Sequence, residues 1–362
     1  MRVLFVAPLP PPINGQSIVS KQLYDAIDEQ NTIYVADMSK EGNVDGIDSF
    51  KRIKEVINLI RRVRILQSKS DRIYIQISES LAGNIKDLFF FLMCRKNLDK
   101  VYIQLHGGTI KSNIYDKYPL LHRVNKYFIS KMAGVLISGE SHRETFSDKI
   151  AKEKIHIIPN FASDDLFISN LAQEQKASNQ RPINVLYMSS LIPLKGYLLL
   201  LEAIETMPDY VRNQFEFHFA GGCNDPKAKN SFLDRIDKLH NVNYHGLVSG
   251  EDKQKLFFDA HVLCLPTMYF EGQSVCVLEA YSSGCTVVST GKGGLVDIFE
   301  DGVHGIKIEE NSVQSIILAF EKLLADEAII AKTGRNNRIE ADQNYRPSSY
   351  NNKCLKAIDL NV

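Results

Sequence analysis

Short apolar runs alternate with amphipathic helical stretches along this chain, and the whole series occurs twice. Strand-like runs fall at residues 2–7, 33–36, 72–77, 101–105, 135–138 and 155–158, with helical patterns between them at 16–27, 50–66, 85–95, 113–131 and 141–150. Strands that are apolar at nearly every position must be covered on both faces, and strands separated by helices are joined by crossovers. Together these demand an α/β fold with a parallel, doubly wound sheet. Residues 168–182 are polar and weakly periodic and read as a linker. The alternation restarts with strand candidates at 184–188, 216–220, 241–244, 261–265, 286–289 and 305–308. The predicted plan is a domain over 1–167, a linker over 168–182, a second domain over 183–342, and a closing segment 343–362 with a helix over 347–360. A chain of 362 residues, too long for one ordinary core, agrees with two domains.

An apolar share of 44% and a charged share of 24% are those of a globular protein. There is no run of eighteen apolar residues, and Pro8 interrupts the only candidate for a leader, so a cytoplasmic chain is expected. Six cysteines without a C-x-x-C pair lie mostly in apolar segments and read as small core residues, not as zinc ligands or disulfides. The net charge of zero is unevenly spread. Residues 1–165 carry 24 Lys+Arg against 19 Asp+Glu, and the remainder carries 19 against 24. The basic residues are not interleaved with stacking aromatics, which argues against nucleic acid as partner and for an anionic membrane surface.

Chemistry-bearing residues cluster where the strand candidates end. In Glu271-Gly272-Gln273-Ser274-Val275-Cys276-Val277-Leu278-Glu279, a Glu-Gly turn opens an apolar helix. The backbone N–H groups of Gln273 to Val275 then meet a positive helix end, which suits a phosphate. Glu279 lies about one turn further in, among apolar neighbours, where a carboxylate requires partners such as vicinal hydroxyls. Lys195-Gly196 follows the strand 184–188 and offers a compact cation to a diphosphate. His106-Gly107-Gly108 follows the strand 101–105. Gly15, Gln16 and Ser17 close the proline-rich loop after the first strand, where open α/β sheets bind ligands, although a plain proline-rich turn fits the local residues as well. The loop contains no Gly-x-Gly-x-x-Gly.

These motifs, in order from Val3 to about Asp342, resemble the retaining glycosyltransferases of the family-4 type. They include the glycine loop at Gly15, His106-Gly107, Pro159-Asn160, Lys195-Gly196, Ala220-Gly221-Gly222, Tyr244-His245-Gly246-Leu247, the Glu-x7-Glu pair and the glycine turns at 291–294 and 301–305. The resemblance implies a GT-B fold, with two Rossmann-like domains facing across a cleft and the last helix crossing back to the first domain. It implies transfer of a hexose-type sugar from a nucleoside diphosphate, with uridine diphosphate (UDP) favoured, and retention of configuration. Glu271, Lys195 and His106 would be catalytic. Gly15, Gln16, Lys195, Gly221, Gly222, Leu247, Gly272, Gln273, Ser274, Val275 and Glu279 would bind the nucleotide sugar, Glu279 through the ribose. Two positions depart from the family. Ser190 replaces a common Arg, which Lys292 or Arg143 could make good, and Phe161 replaces a Gly.

No cofactor beyond the sugar nucleotide is expected, and with no Asp-x-Asp at a strand end, no metal. Lys51, Arg52, Arg61, Arg62 and Arg64 flank an apolar face over 51–66, which fits an interfacial helix as well as a domain helix with a solvated basic side. The stretch 88–93, rich in phenylalanine, reads as core. The expected acceptor is a polyprenyl-diphosphate-linked glycan at the cytoplasmic membrane face, in assembly of a surface polysaccharide such as O-antigen. Two rival readings are a sugar-nucleotide 2-epimerase and a non-catalytic nucleotide-sugar-binding subunit.

Overall fold

The computed structural model describes residues 1–11, 15–39, 49–177, 181–270 and 272–360; the side chains of residues 49–51 and 177 also fall outside the description. The chain divides into two units, one made of Met1–Asn160 with Ser348–Val362 and one of Phe161–Pro347.

The first unit holds six parallel strands, β1 (Arg2–Ala7), β2 (Thr32–Asp37), β3 (Arg72–Gln76), β4 (Val101–Leu105), β5 (Gly134–Ile137) and β6 (Ile155–Ile157), in the order β2-β1-β3-β4-β5-β6. In β1 every residue after Arg2 is buried, as expected of a strand covered on both faces. Because the chain goes from β1 out to β2 and returns on the other side to β3, the switch point lies between β1 and β3. The polar groups inside this sheet are paired. Ser20 Oγ donates to Gln76 Oε1 at 2.6 Å, and Tyr74 OH donates to Gln104 Oε1.

Three helices of this unit bear on function: α1 (Gly15–Asp28), α2 (Ser49–Leu66) and α3 (Leu81–Met93). Helix α3 begins four residues before the expected 85, since Ser80 caps it by accepting from Gly83 N–H at 3.2 Å. Its phenylalanine run is split by the helical period. Phe90 and Phe91 are buried, whereas Leu81, Ile85, Phe89 and Leu92 form an exposed stripe, with Phe89 47% exposed. The expectation that residues 88–93 are core therefore holds for only part of the run. The single helix expected over 113–131 is instead a wide turn, Lys111–Tyr115, and a separate helix, Pro119–Ile129, because Pro119 cannot donate into a continuing helix. The stretch 141–150 likewise forms only short turns.

The second unit repeats the plan with β7 (Ile183–Met188), β8 (Phe215–Ala220), β9 (Val242–Tyr244), β10 (Val262–Leu265), β11 (Thr286–Ser289) and β12 (Gly305–Lys307), all parallel, in the order β12-β11-β10-β7-β8-β9. Its switch point lies between β7 and β10. The expected linker 168–182 needs correction. Residues Asn170–Ala177 form a helix of this unit, and Lys176 Nζ donates to the carbonyls of Phe257 at 2.9 Å and Ser283 at 2.6 Å. The unit boundary falls after Asn160, not at 167. A polar stretch hid this helix because its few inward residues, Gln173 and Lys176, are themselves polar.

The closing helix spans Pro347–Ala357. Residues from Ser348 onward belong to the first unit. Tyr102 OH donates to Asp359 Oδ2 at 2.6 Å, and Arg72 Nε donates to the Ile358 carbonyl at 3.2 Å.

Candidate active site

In the second unit the loops that leave the carboxyl ends of β7 to β11 are fastened to one another. The turn after β7, Pro193–Lys195, ends at Gly196, whose φ is +85°. A Cβ there would lie 2.1 Å from the Pro266 carbonyl oxygen, so only glycine lets this turn close on the loop after β10. Across the switch point the N–H groups of Met268 and Tyr269 both donate to the Leu194 carbonyl, at 2.8 and 3.0 Å. Lys195 Nζ lies 5.0 Å from the Tyr269 ring centroid and is half-buried. The cation named from sequence is thus placed by a braced turn at the position where open α/β sheets bind ligands.

The loop after β8 is as tightly defined. Gly221 has φ +151°, and a Cβ on it would lie 1.8 Å from the Ser189 carbonyl oxygen. Its N–H donates to the Gly246 carbonyl at 2.7 Å, and its own carbonyl accepts from Tyr244 OH at 2.8 Å. Gly222 is open, with nothing within 4 Å of where a Cβ would stand, and Leu247 is 81% exposed.

Glu271 lies outside the described residues. Gly272 and Gln273 pack against Gly294, where a Cβ would come within 2.6 Å of the Gly272 carbonyl, so the glycine turn after β11 supports the Glu-x7-Glu turn. Ser274 is the N-cap of the helix Val275–Ser282, but its hydroxyl makes no capping bond and pairs with Cys276 Sγ at 3.2 Å. The Ser274 side chain thus leaves the first amides of the helix uncapped.

Glu279 is buried at 4% exposure, and Lys253 Nζ donates to its Oε1 at 2.6 Å. Burial pushes its carboxyl above the ordinary range, and Lys253 opposes that rise. Among the described residues nothing donates to its other oxygen, Oε2. Lys253, on the helix Gly250–Asp259, was not foreseen. The two cations considered as substitutes at Ser190 are engaged elsewhere, Lys292 with Glu310 and Arg143 with Glu140. Phe161 is buried.

In the first unit Gly15 opens α1, exposed, with nothing within 4 Å of a Cβ, and Gln16 beside it is exposed. His106 is 8% exposed, and neither ring nitrogen has a hydrogen-bond partner among the described residues. Burial lowers its pKa to about 4, so the imidazole is neutral at pH 7. Glu79, which sequence reasoning passed over, follows β3 at the switch point and reaches the His106 loop. Its Oε1 accepts from the N–H groups of Thr109 and Ile110.

The basic residues assigned to a membrane lie on α2. Arg61, Arg62 and Arg64 are exposed, Arg52 Nη1 lies 3.9 Å from Glu55 Oε2, and the Lys51 side chain is outside the described set. Among the described residues no helix is long and apolar enough to cross a membrane.

Both sheets and their connections define the two Rossmann-like domains of the GT-B fold. The Anabaena protein Alr3699/HepE, solved in complex with UDP and glucose, superimposes with a TM-score of 0.74 at 16% identity, over 99% of each chain. Residues 169–341 match the family described as Glycosyl transferases group 1. Among curated relatives, the glycosyltransferase MJ1607 of Methanocaldococcus jannaschii is 28% identical over 180 residues, 48% of this chain and 46% of its own. The poly(ribitol-phosphate) alpha-N-acetylglucosaminyltransferase of Staphylococcus aureus is 25% identical over 264 residues, 70% of this chain and 50% of its own. The chain thus spans about half the length of the curated relatives it matches.

Proposed function

We propose that the protein is a retaining glycosyltransferase that moves a hexose-type sugar from a nucleoside diphosphate, UDP favoured, to a hydroxyl of a polyprenyl-diphosphate-linked glycan in surface polysaccharide assembly. The observation that carries this reading is the match to glycosyltransferases over the segment 169–341, which contains Lys195, Glu279 and the helix start at Ser274. Lys195 and the amides from Gln273 to Val275 take the diphosphate, and Glu279 Oε2 takes the ribose hydroxyls. Glu271 and, in the first unit, His106 are assigned to the sugar, and Gly15 with Gln16 to its phosphate. In the transfer the bond from the anomeric carbon to the diphosphate breaks and the bond to the acceptor oxygen forms on the same face. The leaving diphosphate takes the acceptor's proton, so positioning and charge stabilisation are the enzyme's task. With no Asp-x-Asp in the sequence, turnover without a metal is part of the proposal.

Attachment to an anionic membrane is supported by α2 and α3. The segment 49–98 carries eleven Lys and Arg against four Asp and Glu. On it the exposed stripe Leu81, Ile85, Phe89, Leu92 lies beside basic Arg95 and Lys96, with Asp87 buried. UDP is supported by its presence in the superimposed Anabaena structure.

The test is a thermal-shift and hydrolysis screen against a panel of nucleotide sugars, with and without chelator, on the wild type and Glu279→Ala. One donor is expected to stabilise the wild type by about 2.7 kcal/mol at a hundredfold excess over Kd and to lose that effect in the variant. No stabilisation by any donor would overturn the transferase reading. Conversion of the donor alone to an epimer would move the assignment to an epimerase.

A further inference from the structure

We infer that Glu79 is a positioning residue that shapes the His106 loop for the donor sugar, an inference resting on the transferase reading above. Glu79 leaves β3 at the switch point of the first sheet, in a turn secured on both sides. Ser78 N–H donates to Asp87 Oδ2 at 2.7 Å, and Ser80 caps α3. From this anchor the Glu79 side chain crosses to the loop that follows β4. Oε1 takes the N–H groups of Thr109 and Ile110, the latter at 3.1 Å, which are the donors a helical turn leaves over where it begins at Ile110. Oε2 occupies the space a side chain at 107 would need. A Cβ on Gly107 would lie 1.7 Å from it.

The carboxylate therefore does two things to one loop. It ties down the amides just beyond His106-Gly107-Gly108, and it fills the inner side of the loop so that a side chain at 107 would have to push the carboxylate aside. The result is an imidazole that is nine-tenths buried while both of its ring nitrogens lack a partner among the described residues. A buried polar group in that state is held ready for a ligand that both donates and accepts, and a sugar's hydroxyls do so. Burial raises the Glu79 carboxyl, and the two amides oppose this, in keeping with a group that accepts hydrogen bonds from backbone in place of solvent.

The experiment compares Glu79→Gln, Glu79→Ala and Gly107→Ala, with UDP-glucose as donor probe and UDP as nucleotide probe. A glutamine keeps an oxygen for Thr109 and Ile110 and an alanine does not, while Gly107→Ala displaces the same carboxylate from the other side. Glu79→Ala and Gly107→Ala are expected to raise KM for UDP-glucose on the order of tenfold, since small misplacements of this kind cost that much or more. UDP affinity should be unchanged, and Glu79→Gln should recover most of the loss. Amide hydrogen exchange at Thr109 and Ile110 should be about tenfold faster in Glu79→Ala than in the wild type and near the wild-type rate in Glu79→Gln. If Glu79→Gln is as impaired as Glu79→Ala while its amides stay protected, Glu79 acts on substrate directly and the inference falls. It also falls if Glu79→Ala changes neither KM nor exchange. A wild type that binds neither UDP nor any donor of the nucleotide-sugar panel, with exchange behaving as stated, would refute the transferase reading and leave the loop-shaping role standing.

Discussion

Lys253 Nζ stands 2.6 Å from Glu279 Oε1, so a carboxylate buried on the helix Val275–Ser282 is held by a cation from the helix Gly250–Asp259. Removing the cation leaves a carboxyl whose pKa burial raises without opposition. Such a group favours the fold below the ordinary carboxylate range, and its contribution is lost as pH rises through the folded value. Lys253→Met should therefore cost little near pH 4.5 and about 3 kcal/mol at pH 8, the scale found when one partner of a buried pair is removed. Urea unfolding at the two pH values measures this; an equal loss at both would show that the pair does not govern the site.

Acid should weaken the fold through two imidazoles. His106 and His261 are each pushed down to about 4, burial being the first cause in both. His261 Nδ1 accepts the Asn184 N–H at 3.0 Å, which requires the neutral ring. A depressed base contributes stability that is present above its unfolded value of about 6.5 and is lost as pH falls toward the folded value, on the order of 3 kcal/mol for each group. Stability from chemical denaturation should decline between pH 7 and 4.5, and His261→Asn should flatten part of that slope. An unchanged slope would rule His261 out.

Two neighbouring glycines in the second unit should behave oppositely. Gly221→Ala forces a Cβ onto the Ser189 carbonyl at positive φ and should cost about 2 kcal/mol or more. Gly222→Ala meets nothing within 4 Å and should change stability by less than about 0.5 kcal/mol. Any loss of UDP affinity in Gly222→Ala, measured by calorimetry, then reports on space the ligand needs.

Membrane attachment separates into a charge part and an apolar part. Changing Arg61, Arg62 and Arg64 to Gln should weaken co-sedimentation with phosphatidylglycerol vesicles about a hundredfold, at roughly 1 kcal/mol for each base near the surface. Phe89→Glu should weaken binding even at low salt. Binding that is indifferent to anionic lipid would defeat the proposal.

Strands such as Val3 to Ala7 and Val262 to Leu265 were legible because each is an uninterrupted apolar run that burial on both faces explains, while β8, Phe215-Glu216-Phe217-His218-Phe219-Ala220, was legible because its apolar residues alternate with polar ones. The Lys195-Gly196 turn and the Ser274 helix start were legible because each lies next to a strand end in sequence. Glu79 and Lys253 were not. Ser78-Glu79-Ser80 reads as a solvated loop and Gly250-Glu251-Asp252-Lys253 as a charged helix start, since a contact between loops of different strands leaves no trace in local spacing. The neighbour order of β1 and β3, once known, points to Glu79 as the residue at the switch point. The helix Asn170–Ala177 escaped for a related reason: Lys176 is satisfied by carbonyls from distant segments, which no periodicity announces.

Tyr102, in the middle of the first sheet, takes its hydrogen-bond partner from Asp359, and Arg72 takes its own from Ile358. During synthesis the second unit, continuous from Phe161 to Pro347, has all its residues before the first unit does. The unit made first is finished last. Its sheet lacks the Asp359 partner of Tyr102 and the Ile358 partner of Arg72 Nε until residues 348–360 have left the ribosome, so a chain cut short before residue 348 would damage the half of the protein that was translated earlier.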